Sequence, residues 1–180
     1  MRGFAPLALG RGAMLAALVL LGGCGIFGDK EPLPPCPRIS VVRDAERVTL
    51  FRAGSGRDVN DIEFEAEVGE IRAACEVKGN QVSVRVSVAL LAARGAAAQN
   101  KPAPFSFFVA VTDPTGKIVG KEVFESPIEF KPGQQRSGSA EEIDETIPLA
   151  SGMRAEDYDI LIGFQLSADQ LEYNRRSRTR

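Results

Sequence analysis

Apolar side chains recur at every second position through most of this chain, which is the period of a half-buried β-strand and not of a helix. Ile39 and Val41, then Val48 and Leu50, mark short first strands separated by Arg43-Asp44-Ala45-Glu46. Ile62, Phe64, Ala66 and Val68 alternate with Glu63, Glu65 and Glu67, so one face of that strand is wet. Ile71, Ala73, Cys75 and Val77 resume the alternation after Gly69, where a bulge is expected. Lys78-Gly79-Asn80 then reads as a hairpin turn into the clearest strand of the chain, Val82, Val84, Val86, Val88 and Leu90.

A small-residue and proline loop from Ala96 to Pro104 precedes a hydrophobic strand from Phe105 to Thr112. Asp113-Pro114-Thr115-Gly116 carries proline and glycine where a type I turn needs them, and Lys117 to Phe124 pairs back. A polar loop through Lys131-Pro132-Gly133-Gln134-Gln135-Arg136-Ser137-Gly138-Ser139 leads to Ile143–Leu149, and the last strand is Tyr158–Ser167. Tyr158 stands where it suits equally a tyrosine corner bonding back across a turn and a plain packing residue. The spacing gives about seven antiparallel strands with no intervening helix, and predicts an all-β, immunoglobulin-like sandwich over residues 38–168. Residues 169–180 end in Arg175-Arg176-Ser177-Arg178-Thr179-Arg180 and read as a basic, disordered tail.

The first two dozen residues follow other rules. Arg2 and Arg11 precede an apolar run from Ala13 to Leu21, which at about 1.5 Å per residue reaches only about half of a ~30 Å hydrocarbon core. A positive start, a short apolar run and small residues before Cys24 are the marks of a cleaved signal, here residues 1–23. Leu21-Gly22-Gly23-Cys24 resembles the lipobox of bacterial lipoproteins, and the chain as a whole is similar to small proteobacterial envelope lipoproteins. That resemblance implies that Cys24 becomes the first mature residue and carries lipid, anchoring the protein stably to a membrane. It also implies the inner leaflet of the outer membrane, facing the periplasm, because Gly25 and not aspartate follows Cys24. Residues 24–37, with four prolines in the last six, form an extended tether.

Composition narrows the chemistry. The 157 residues after the signal carry 20 basic and 24 acidic side chains, a net charge near −4, which argues against nucleic-acid binding. The chain has no histidine and no tryptophan, which removes His-dependent triads and the usual catalytic zinc sites. With Cys24 consumed by lipid, Cys36 and Cys75 remain as an even pair in an oxidising compartment, and a Cys36–Cys75 disulfide is expected.

The densest polar cluster is Arg57-Asp58-Val59-Asn60-Asp61. Arg57, Asp58, Asn60 and Asp61 form the candidate binding loop, although their spacing lacks the calcium pattern of an EF-hand and suits a turn held by Asp and Asn side chains. Glu63, Glu65, Glu67 and Glu70 lie too close on one strand to face each other across a cleft. Ser55 has no base partner to make it a nucleophile. Phe105, Phe107 and Phe108 place aromatics on both faces of one strand. The basic tail reads first as a solubilising segment, with contact to anionic lipid headgroups or to an acidic envelope partner as the functional alternatives.

These features predict a non-enzymatic binding or assembly module without cofactor or metal, anchored to a membrane and engaging an envelope protein or glycan. Two other classes remain: a carbohydrate- or calcium-dependent ligand module, and a polysaccharide-acting enzyme pairing Asp58 or Asp61 with Glu141 or Glu142.

Overall fold

The computed structural model describes residues 36–54 and 56–178; the signal, Cys24, most of the tether and Ser55 lie outside them. The described chain is a β-sandwich of two four-stranded sheets. One sheet holds β2 (Arg47–Phe51), β3 (Ile62–Lys78), β4 (Gln81–Arg94) and β7 (Arg136–Pro148), side by side in that order. The other holds β1 (Arg38–Val41), β8 (Asp159–Phe164), β5 (Ala103–Thr112) and β6 (Ile118–Ile128). The sheets meet along β6 and β7 on one side and β2 and β8 on the other, and the chain crosses between them from β4 to β5 and from β7 to β8, as in an immunoglobulin-like Greek key.

Alternation builds the core. Val82, Val84, Val86, Val88 and Leu90 all point inward from β4 and are fully buried. They meet Phe105, Phe107 and Val109 of β5 and Ile160, Ile162 and Phe164 of β8 from the opposite sheet. Each such side chain contributes about 1.5–3 kcal/mol by leaving water, so this double row supplies most of the cohesion between the layers.

Turn chemistry sets the register. Gly79 has φ +61°, and Lys78 opposite Gln81 makes a tight hairpin between β3 and β4. Asp113 caps the β5–β6 turn through its Oδ1, which accepts from the Thr115 hydroxyl at 2.6 Å and the Thr115 backbone N–H at 2.9 Å. The hydroxyl bond, with the backbone donors behind it, holds the Asp113 carboxyl below the usual carboxylate range.

The bulge expected at Gly69 is present: residues 62–68 and 71–77 form one continuous strand, β3, because the irregularity between Val68 and Ile71 absorbs the extra residues without ending the ladder. Two features depart from the sequence expectation. There are eight strands, and β1 runs parallel to β8, with Ile39 opposite Ile160. Alternation identifies strands but carries no information on their direction. The tail expected to be disordered is instead an α-helix, α1 (Ala168–Arg178). Ser167 and Gln170 bond each other's backbone N–H groups at its start, at 3.3 and 2.8 Å. This reciprocal cap satisfies donors that a helix start would otherwise leave open, while Arg175, Arg176 and Arg178 sit in the last turn where the helix dipole favours cations.

Candidate functional site

The loop between β2 and β3 holds the candidate residues, and the fold turns each of them toward its own neighbours. Asp58 precedes the 3₁₀ turn Val59–Asp61 and accepts from both the backbone N–H and the side-chain amide of Asn60, at 3.0 and 2.9 Å. Asp61 pairs with Arg52 at 3.0 Å. The Arg57 guanidinium lies 4.9 Å from the centre of the Phe51 ring and 3.6 Å from the Asp169 carboxylate. Phe51 in turn meets Tyr173 edge-on, with ring centres 5.1 Å apart. Arg57 and Phe51 thus form one half of a clasp on α1, while Asp58, Asn60 and Asp61 hold the loop itself.

The other half of that clasp is Asp44, in the 3₁₀ turn Arg43–Ala45. Arg175 donates to it at 3.0 Å and Arg178 also pairs with it. Asn174 donates to the carbonyls of Asp44 and Arg47, at 2.9 and 2.7 Å, covering the start of edge strand β2. The hydrogen bond from Arg175, reinforced by the charge of Arg178, holds the Asp44 carboxyl below its ordinary value. Sequence reading missed this contact; Ser167-Ala168-Asp169-Gln170 was the signal that a helix begins there.

Cys36 and Cys75 form the expected disulfide, with Cα atoms 5.8 Å apart. The bridge runs from the lead-in to β1 in one sheet to the hairpin end of β3 in the other, so it ties the two layers together.

The remaining carboxylates do not converge with the 57–61 loop. Glu141 points inward from β7 and accepts from Ser126 of β6 at 2.6 Å, while Ser126 and Ser139 share a hydrogen bond at 2.9 Å. Glu142 lies on the outer face, opposite Ser87. Glu145 also points inward, and burial, with the charge of Glu122 across the seam, raises its carboxyl above the ordinary value of 4.5. Among the described residues no three His, Cys, Asp or Glu side chains are grouped to hold a metal ion.

At the end of the sandwich a groove of about 480 Å³ is lined by Arg94, Lys101, Phe130 and neighbouring loop residues. The Arg94 guanidinium sits 5.2 Å from the Phe130 ring centre and donates to Asn100 and to the carbonyl of Gln99, at 3.2 and 3.0 Å. Lys101 pairs with Glu63 at 3.4 Å. Its cations therefore hold loops in place. Phe105 and Phe107 are buried between the sheets, whereas Phe108 lies on the outer face beneath the Lys121 ammonium, 4.6 Å from the ring centre. Compared with known proteins, the chain matches no family model, no curated protein and no solved structure.

Proposed function

We propose that this chain is a lipid-anchored envelope lipoprotein, facing the periplasm from the inner leaflet of the outer membrane, whose sandwich acts as a non-enzymatic binding or assembly module. The observation that carries the reading is Leu21-Gly22-Gly23-Cys24 placed a short proline-rich stretch ahead of a disulfide-stapled domain. The disulfide supports it because such bridges persist in oxidising compartments and are rare in reducing ones. The engagement of the polar clusters in internal contacts counts against the carboxylate-pair reading. Asp58 and Asp61 bond Asn60 and Arg52, and Glu141 bonds Ser126. Sandwiches bind through edge strands and end loops, both of which this fold leaves accessible.

The test is metabolic labelling with a fatty-acid analogue in a bacterial host, with membrane fractionation and crosslinking of intact cells. The wild-type chain is expected to take up label, to fractionate with the outer membrane and to crosslink to an envelope component, and Cys24→Ser is expected to lose all three. Equal labelling of the variant would overturn the anchor, and fractionation with the inner membrane would overturn the sorting.

A further inference from the structure

Strand β6 ends its sheet, and its outer edge is unpaired from Lys121 to Glu125 among the described residues. The direction of its backbone groups follows from its neighbours. The Ser106 carbonyl of β5 accepts from the Gln165 N–H at 2.9 Å, so Ser106 turns its backbone toward the β8 side. Ser106 lies opposite Glu125, and in an antiparallel ladder such a residue's partner turns its own N–H and C=O away. Alternation by two then aims the backbone of Lys121, Val123 and Glu125 out of the sheet edge. Beyond them the edge is closed: Pro127 has no N–H, and the carbonyl of Glu129 accepts from the Ser137 hydroxyl at 2.6 Å.

The open segment is also apolar for an edge. Ile118, Val119 and Val123 are 55%, 53% and 46% exposed. Edges of this kind normally carry a lysine to repel pairing. Here Lys121 has a complement two residues beyond Val123, in Glu125.

We propose that β6 pairs antiparallel with β6 of a second copy of this chain about a two-fold axis through Val123. Residues opposite one another across such an axis share a face of the sheet, so the allowed registers can be compared directly. With the axis at Val123, the two Val123 side chains meet, and each Lys121 stands opposite Glu125 of the other copy. An axis at Lys121 or at Glu125 sets like charges against each other. An axis at Glu122 places Lys121 opposite Val123, and one at Phe124 places Lys121 opposite Pro127, so neither pairs the charges. The Val123 register alone is self-complementary. Both charged groups are already held at the outer face: Lys121 donates to Gln165 at 2.9 Å, and Glu125 accepts from Ser106 at 2.9 Å. Pairing would fuse the two β1-β8-β5-β6 sheets into one continuous sheet.

The test uses the full chain in detergent, by sedimentation and by thiol crosslinking. A dimer is expected, and Val123→Cys is expected to form a disulfide-linked dimer on mild oxidation while Val119→Cys, off the axis, does not. Lys121→Glu and Glu125→Lys each turn two attractive pairs into two repulsive ones, and each should raise the dissociation constant about tenfold or more. The double reversal Lys121→Glu with Glu125→Lys should restore it, which a general loss of folding would not. A monomer at every accessible concentration, equal crosslinking at positions 119 and 123, or a double variant weaker than either single one would overturn the proposal.

Discussion

The Tyr158 hydroxyl accepts from the backbone N–H of Ala150 at 3.0 Å while its ring is buried in the core, so one side chain fixes the turn that returns the chain from β7 to β8. Tyr158→Phe keeps the ring and loses the bond; urea unfolding is expected to show a loss of about 1 kcal/mol. Gly95 serves close approach. A Cβ there would lie 2.1 Å from the Ile62 carbonyl oxygen, so Gly95→Ala must move backbone, and a loss of about 2–3 kcal/mol is expected by the same measurement. Glu145 works in the opposite sense, because burial and the charge of Glu122 raise its carboxyl. A raised folded-state value means that its contribution to stability is fully present below the unfolded value and is lost as pH rises through the folded one. Glu145→Gln should therefore raise the melting temperature at neutral pH and reduce the pH dependence just above 4.5, read by melts across that range. The sequence left a corner and a packing role equally open for Tyr158, and the fold gives it both. The Glu145 seam was not legible, because alternation assigns a face without showing which strand of the other sheet lies across it.

Helix α1 shows how an element escapes a compositional reading. Its arginines look like a solvated tail, yet Arg175 and Arg178 converge on Asp44, and Asn174 bonds two carbonyls of the strand lead-in. Asp44→Ala should release the helix, and limited trypsin digestion should then cut at Arg175 and Arg178 faster than in the parent, while the sandwich stays intact. The lowered Asp44 value sets the pH sense: its contribution is present above the unfolded value, about 3.9, and is lost as pH falls through the folded one. Helix docking should thus be firmer at neutral pH than in acid, where the Asn174 and Phe51–Tyr173 contacts remain. At the same scale, the Cys36–Cys75 bridge closes a span of 39 residues, and replacing both cysteines by serine should cost about 4 kcal/mol in the chain-entropy model, measured by denaturant unfolding. The cysteine pairing was legible by counting. The helix was legible only from the Ser167 and Gln170 cap, which composition had masked.

The sandwich as a whole was legible because its alternation is nearly unbroken from β3 through β5, and a chain with that period has few ways to bury itself other than two facing sheets. What the sequence left open is pairing. The parallel contact of β1 with β8 and the free edge of β6 both depend on which strands become neighbours. The candidate loop illustrates the same limit: Arg57, Asp58, Asn60 and Asp61 are polar and adjacent, and a cluster that holds its own loop together has the same composition as one built to hold a ligand. The disulfide has a mechanical consequence as well. Any pull on the residues ahead of Cys36 passes through the sulfur bridge into β3 at Cys75, close to the β3–β4 hairpin, before it reaches the four paired residues of β1. The short strand is shielded from peeling, and the load falls instead on a strand paired with β4 along most of its length.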